Sequence, residues 1–252
     1  MTVAHKLVIL RHGESQWNHE NKFCGWIDIP LSSKGKEEAL TAGQLIAQNN
    51  LDPQIIYTSK LTRSIQTGNI ILEELKKLYI DQIKTWRLNE RHYGKYQGVD
   101  KSKVYEELGP EKYQWVRRDY LGLPPQVEQG KDVSIDERYD FIDIPKDKLP
   151  TGESLKMVMD RLIPYFTSEI LQKNLIELNK TVLIVTHGSV VRSLIKYMNN
   201  VSDKDISKIN VPTGVPMVFE LNDEGSLIRY YYLDKELAEK GIEKVRREGT
   251  PR

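Results

Sequence analysis

The sequence places Arg11-His12-Gly13 directly after the apolar run Leu7-Val-Ile-Leu10, and His187-Gly188-Ser189 directly after Val182-Leu-Ile-Val-Thr186. A third apolar run, Ile55-Ile-Tyr57, ends in Thr58-Ser59, with Arg63 about one turn further on. Neutral imidazole is a nucleophile near pH 7 and can form a covalent bond to phosphorus. A phosphoryl group in transfer spreads negative charge over its oxygens, and guanidinium forks match those oxygens. A second imidazole can stabilise the same charge, and a carboxyl group must handle a hydroxyl proton. A lone histidine is more often a satisfied core or surface group. Two matched strand-His-Gly junctions are a different matter, and they argue for phosphoryl transfer through His12. No Walker-type Gly-Lys-Ser/Thr loop and no Asp/His cluster with metal-ligand spacing occurs, so no metal is expected.

These residues can cooperate only if the chain brings the three junctions together. In an open α/β sheet, ligands bind beyond the carboxyl ends of the strands. Short continuous apolar runs such as Lys6–Leu10 and Lys180–Thr186 suit parallel strands covered on both faces. Ser32 or Ser33 offers a cap for a helix over 34–48, with Ala39, Leu40, Gly43 and Ile46 on its apolar side. Further helical patterns run from Leu61 to about Leu78 and from Val190 to Met198. Pro216–Leu221 and Leu227–Tyr232 alternate around Asn222-Asp-Glu-Gly225, which predicts a hairpin or two edge strands. Strands alternating with helices predict a three-layer αβα fold, its mainly parallel twisted sheet flanked by helices.

Residues 100–120 read as helical, charged and aromatic, and residues 121–150 are rich in Pro, Asp and Lys. We take the pair as an insertion or lid on a single domain spanning residues 1–252. The tail, 235–252, has a helical half and a basic end containing Gly and Pro, and ends of this kind are mobile.

With 37 basic and 36 acidic residues, the chain has no long-range field to attract nucleic acid or an anionic membrane. An anionic ligand must therefore be captured by a local cluster, and Lys101 with Arg117-Arg118 is the compact cationic set away from the strand ends. The bland reading of such a basic pair is a solvated helix face. Cys24 is the single cysteine, so no intramolecular disulfide can form, which fits a reducing compartment. The first ten residues lack a long apolar segment, and the run Val182–Val185 is far too short to cross a bilayer. The expectation is a soluble cytoplasmic protein with no nucleic-acid or membrane partner.

Leu10-Arg-His-Gly-Glu-Ser-Gln-Trp-Asn18 resembles the phosphohistidine loop of the histidine phosphatase superfamily, in the form found in phosphoglycerate mutases. Phe23-Cys-Gly-Trp26, Tyr57-Thr-Ser-Lys-Leu-Thr-Arg63 and Trp86-Arg-Leu-Asn-Glu-Arg-His-Tyr-Gly94 narrow the likeness to the 2,3-bisphosphoglycerate-dependent family. Val211-Pro-Thr-Gly-Val-Pro216 and Tyr231-Tyr-Leu-Asp234 extend it over nearly the whole chain, and fungal members are the most similar.

The resemblance implies that His12 is phosphorylated, that Arg11, Arg63 and His187 surround the transferred group, and that Glu90 moves the proton of the substrate hydroxyl. It implies that Ser15, Asn18, Cys24, Gly25, Gly188 and Ser189 help hold phosphate or substrate. Arg91, Tyr93, Lys101, Arg117 and Arg118 would grip the carboxylate and second phosphate. The implied reaction interconverts 3-phosphoglycerate and 2-phosphoglycerate in glycolysis and gluconeogenesis, with 2,3-bisphosphoglycerate priming the phosphoenzyme and no metal. Relatives form homodimers or homotetramers, so either is expected. Glu90 also has a bland alternative, an ion pair with Arg87 or Arg91.

Two positions depart from the common pattern. Cys24 stands where a Thr or Ser is usual, and Ser189 where an Asn is usual. Related bisphosphoglycerate synthases also carry a Cys at the first, but with Ser in place of Gly25 and Gly in place of Ser15. A phosphatase of the same superfamily and a weakly active paralogue with a binding or regulatory role remain the alternatives.

Overall fold

In the first strand, β1 (His5–Arg11), the side chains of Leu7, Val8, Ile9 and Leu10 are at most 1% exposed, so both faces of the strand are covered. This is the computed structural model of the chain, and it describes residues 3–129, 131–132, 139 and 144–249. The other strands are β2 (Ile55–Thr58), β3 (Asp81–Lys84), β4 (Val182–Thr186), β5 (Met217–Leu221) and β6 (Leu227–Tyr232), and the sheet order is β3-β2-β4-β1-β5-β6. β3, β2, β4 and β1 pair in parallel; β5 is antiparallel to β1, and β6 to β5. Of the two arrangements open for 216–232, the chain adopts the hairpin.

Helices cover both faces. They are α1 (Gln16–His19), α2 (Ser33–Gln48), α3 (Thr62–Glu74), α4 (Lys101–Arg118), α5 (Leu155–Tyr165), α6 (Gly188–Met198) and α7 (Lys235–Arg247). Alternate strand residues feed two cores, as the period of two requires. Leu7, Ile9 and Ile184 pack with Val158, Leu162 and Phe166 of the α5 layer and with Val191 and Leu194 of α6. Val8, Leu10, Leu183 and Val185 pack on the other side with Ala42 and Ile46 of α2 and Ile71 and Leu72 of α3. Burying one such side chain contributes roughly 1.5–3 kcal/mol. The three-layer αβα arrangement therefore follows from three short apolar runs flanked by amphipathic helices.

Several details differ from the pattern. On α2, Leu40 is 42% exposed and Ala42 takes the inward position instead. α3 ends at Glu74 rather than near Leu78: Lys76 turns to a φ of 55°, and Leu78 and Tyr79 stay exposed instead of reaching the core. α4 is broken at Gly109 (φ 72°) before Pro110. β3 is an edge strand of sequence Asp-Gln-Ile-Lys, half exposed and without the apolar signature of a core strand. α5, continued by a wider π-type helix over Phe166–Glu177, was not foreseen at all. Part of the stretch 100–150 and the last residues of the tail lie outside the described residues.

Candidate active site

The register Arg11↔Thr186 and Thr58↔Val185 sets the carboxyl ends of β1, β4 and β2 side by side. The first residue beyond β1 is tied to its neighbour, with the His12 amide donating to Thr186 O at 2.8 Å. The rings of His12 and His187 meet edge to face, their centroids 4.9 Å apart at 63°. Both are buried. Arg63, from the first turn of α3, reaches the same place.

The hydrogen bonds fix what His12 can do. Its Nδ1 lies 2.6 Å from Gly13 O, and a carbonyl only accepts, so Nδ1 carries the proton. Nε2 is left with its lone pair, 3.3 Å from the Arg63 Nε–H. Burial first, then the charges of Arg63 and Arg11, hold the His12 pKa well below the usual imidazole range. His187 is lowered by burial, then by Arg63, His12 and Arg11. Two neutral imidazoles at neutral pH, one with an unprotonated Nε2, is the state a nucleophile to phosphorus requires.

The arginines are aimed by main-chain carbonyls. Arg63 donates through Nη1 to Ile27 O at 3.0 Å and through Nη2 to Gly25 O at 2.7 Å. Arg11 donates through Nη1 to Val211 O at 3.0 Å, while its buried Nε has no partner. Such unspent donors suit an anion.

Further along the pocket, the Glu90 Oε1 accepts from the Arg91 amide at 2.7 Å and from the Ser189 amide at 3.3 Å. Glu90 pairs with neither Arg87 nor Arg91. The Arg87 guanidinium lies over the Trp86 and Tyr165 rings instead. Arg91 spends its guanidinium on Gly122 O, Val116 O and Arg117 O. It therefore sits behind the pocket wall, stacked 4.5 Å from the Tyr93 ring, rather than lining it. Ser15 is also one layer back. It caps α1, with Oγ 2.9 Å from Asn18 Oδ1 and 3.5 Å from Cys24 Sγ.

The remaining expected residues line the pocket with His12: Arg11, Asn18, Cys24, Gly25, Arg63, Glu90, Tyr93, Lys101, Arg117, Arg118, Gly188 and Ser189. At Cys24 the thiol meets Asn18 Nδ2 at 3.8 Å, a weak contact where a hydroxyl would bond more strongly. The Ser189 carbonyl accepts from Ser193 Oγ at 2.9 Å, which ties it into the first turn of α6. Tyr93 is pulled below its usual range: burial opposes that shift, and the Arg91 charge outweighs it.

The cationic end holds a group the sequence did not point to. Glu248, just beyond α7, places Oε2 at 2.6 Å from Lys101 Nζ and 2.9 Å from Arg117 Nη2. Its carbonyl accepts from Arg117 Nη1 at 2.9 Å. Burial opposes ionisation here, but Lys101, Arg117 and Arg11 outweigh it and keep the carboxyl well below its usual range. Glu248 is one of four glutamates in the tail, and nothing in their spacing singles it out.

Arg192 is another pocket residue that was missed. It donates to Arg118 O and Ile206 O, and burial is the main cause that brings it down to about 10. Its place one turn after His187-Gly188 was the available clue. The Arg161–Glu153 pair lies behind Glu90, and Arg161 donates to Asn89 O and Glu90 O, fixing that segment. Trp26 Nε1 adds a bond to Glu90 O at 2.7 Å.

Among the described residues no group of three or more His, Cys, Asp or Glu side chains is placed to hold a metal ion. Nor is any described helix long and apolar enough to cross a membrane.

Comparison with known proteins agrees with this geometry. The profile of the histidine phosphatase superfamily (branch 1) matches residues 7–140 and 135–234. Phosphoglycerate mutase 1 of Saccharomyces cerevisiae is 44% identical over 247 residues, covering 97% of this chain and 98% of the relative. The 2,3-bisphosphoglycerate-dependent phosphoglycerate mutase of Corynebacterium kroppenstedtii is 43% identical over 249 residues, with 97% and 98% covered. That of Borreliella afzelii is 44% identical over 251 residues, with 98% and 100% covered. Among solved structures, a mycobacterial glucosyl-3-phosphoglycerate phosphatase superposes with a TM-score of 0.68 at 19% identity, over 91% of this chain and 97% of that one. At that identity the likeness speaks for the fold alone. A profile match over most of the chain, and full-length relatives above 40% identity, make this chain a member of branch 1 of the histidine phosphatase superfamily, in its 2,3-bisphosphoglycerate-dependent phosphoglycerate mutase family.

Proposed function

We propose that the chain is a phosphoglycerate mutase that interconverts 3-phosphoglycerate and 2-phosphoglycerate through a phosphohistidine on His12. One observation carries the reading: His12 is buried, keeps its proton on Nδ1 for Gly13 O, and leaves Nε2 bare among Arg63, Arg11 and His187. In the forward direction the phosphoryl group leaves His12 Nε2 for the 2-hydroxyl of 3-phosphoglycerate, and Glu90 takes the hydroxyl proton. The bound 2,3-bisphosphoglycerate then reorients, and its 3-phosphoryl group passes to His12 Nε2 while Glu90 returns the proton to the 3-oxygen. Arg11, Arg63 and His187 face the charge on the transferring oxygens. Lys101, Arg117, Arg118 and Tyr93 hold the distal carboxylate and phosphate, with Asn18, Cys24, Gly25, Gly188 and Ser189 along the walls. Ser15 and Arg91 act from behind, by holding Asn18 and Tyr93.

Free 2,3-bisphosphoglycerate would prime His12, and no metal takes part. A phosphohistidine open to water would hydrolyse, so the site must close during turnover. We assign that closure to residues 100–150 and to the tail, both parts of one mutase-like domain. We infer further that the protein works in the cytoplasm on small phosphoglycerates, as a homodimer or homotetramer.

The test follows 2-phosphoglycerate formation from 3-phosphoglycerate with and without added 2,3-bisphosphoglycerate. Cofactor-stimulated turnover is expected. Release of free phosphate alone would replace this reading with a phosphatase, and no activity with a non-enzymatic role.

A further inference from the structure

Ser59 ends the third polar junction of the sequence, and the reaction above gives it no task. Its hydroxyl lies 2.8 Å from His187 Nε2, and both residues are fully buried. The same oxygen accepts the Leu61 amide at 3.1 Å, and among the described residues these are its two partners. A buried hydroxyl proton without an acceptor is costly. Leu61 N–H is a donor, so among the described residues the one acceptor within reach of the Ser59 proton is an unprotonated His187 Nε2.

The other ring nitrogen completes the argument. His187 Nδ1 is buried and has no partner. In a neutral ring with Nε2 bare, Nδ1 carries the proton and presents an unspent donor beside His12. With the proton on Nε2, both the hydroxyl proton and the Nδ1 lone pair would be stranded, and a lone pair would face a phosphoryl oxygen. The two faults together exclude that tautomer.

We propose that Ser59 is a positioning residue: its hydroxyl donates to His187 Nε2 and so fixes His187 as an Nδ1–H donor toward the oxygens of the transferring group. The scaffold supports this. The Ser59 amide donates to Ser64 Oγ at 3.2 Å, and Ser64 Oγ donates to Val185 O at 2.7 Å, which anchors the serine to β4 just before His187. What crosses to the substrate is a proton position rather than a contact. Its catalytic consequence rests on the mutase reading, but the tautomer itself does not.

The experiment uses the full chain with 15N-labelled histidine, unliganded at pH 7.5. Long-range proton–nitrogen correlation spectra report which nitrogen of each ring is protonated, with His187→Gln assigning the signal. The expected wild-type His187 has a protonated Nδ1 and a bare Nε2. Ser59→Ala should shift the ring to the Nε2–H form or to a mixture, and Ser59→Thr, which keeps a hydroxyl, should restore it. In the mutase assay Ser59→Ala should lower kcat by about ten- to hundredfold with KM for 3-phosphoglycerate changed by less than about threefold. A wild-type ring protonated on Nε2 overturns the proposal without any variant, as does a Ser59→Ala protein whose tautomer is unchanged. A kcat loss in Ser59→Ala that merely equals the loss of folded protein, measured by circular dichroism, would also overturn it. An Nδ1–H tautomer in a protein without mutase turnover would sink the assigned reaction and leave the hydrogen-bond assignment standing.

Discussion

At the strand-tip end of the pocket, Arg63, His12 and His187 are held by main-chain carbonyls and a hydroxyl, whereas at the other end Lys101 and Arg117 are held by a carboxylate from the chain's own tail. The first kind of support cannot leave without unfolding a loop. The second can exchange for any anion of matching shape, because Glu248 offers Lys101 and Arg117 what a substrate carboxylate or phosphate would offer. A group that stabilises developing charge works best when its dipoles are fixed beforehand. A group that admits and releases a ligand works best when its partner can be replaced. The chemistry and the grip are therefore built differently within one pocket.

The largest effect should come from removing the nucleophile. His12→Ala is expected to abolish labelling by 2,3-bisphosphoglycerate and to cost on the order of 10⁴-fold or more in turnover. Persistent labelling elsewhere in that variant would break the comparison at its root. Glu90→Gln keeps both amide contacts but cannot take a proton, so kcat should fall about 10²- to 10⁴-fold while labelling of His12 persists.

The grip end should answer in KM. Glu248→Gln weakens the self-pairing of Lys101 and Arg117, and KM for 3-phosphoglycerate should drop by roughly three- to tenfold with kcat little changed. Ending the chain before Lys235 should raise phosphate release relative to mutase turnover. An unchanged ratio would argue that the tail does not shield the phosphoenzyme.

The transfer end should show in acid. His12 and His187 have pKa values below that of an unfolded histidine, so below about 6.5 the unfolded chain binds more protons than the folded one. Stability should therefore be complete above that pH and decline as pH falls toward the folded values, by up to about 1.4 kcal/mol per pH unit for each histidine. Denaturant midpoints of wild type and His12→Ala between pH 7.5 and 5 would measure it, and parallel curves would contradict it. The smallest change is expected from Ser189→Asn, which supplies the amide usual in mutases. It should move kcat/KM by less than about tenfold, since the contact Ser189 makes with Glu90 runs through its amide, which the substitution keeps.

The same contrast explains what could be read from the sequence. His12, His187 and Arg63 were legible because each follows an apolar run that has to be a central strand, and strand order does the rest. Glu90 rested on resemblance, since no periodicity places a loop carboxylate, whereas Lys101, Arg117 and Arg118 stood out as a compact cationic set and needed the resemblance only to be told from a solvated helix face. Glu248 was invisible because long-range ion pairing leaves no local pattern, and the Arg161–Glu153 pair because a spacing of eight residues matches no helical pairing distance. Arg91 looked like a ligand-binding arginine and proved to be a clamp on the last turn of α4, a distinction made only by the carbonyls around it. β3 escaped because an edge strand can be polar. In α3 the helical spacing overran by several residues, because nothing in Leu78 or Tyr79 says that they stay exposed rather than join the core.

The loop after β1 rests directly on the start of α2. A methyl group added at Gly13 would lie 2.2 Å from Gly35 O, and one added at Gly35 would lie 2.0 Å from Glu14 O. Both atoms are rigid main chain, so neither glycine can be changed while the facing segment stays where it is. Anyone transplanting the nucleophile into a new scaffold must carry the helix start along with the loop, because the pair behaves as one indivisible part.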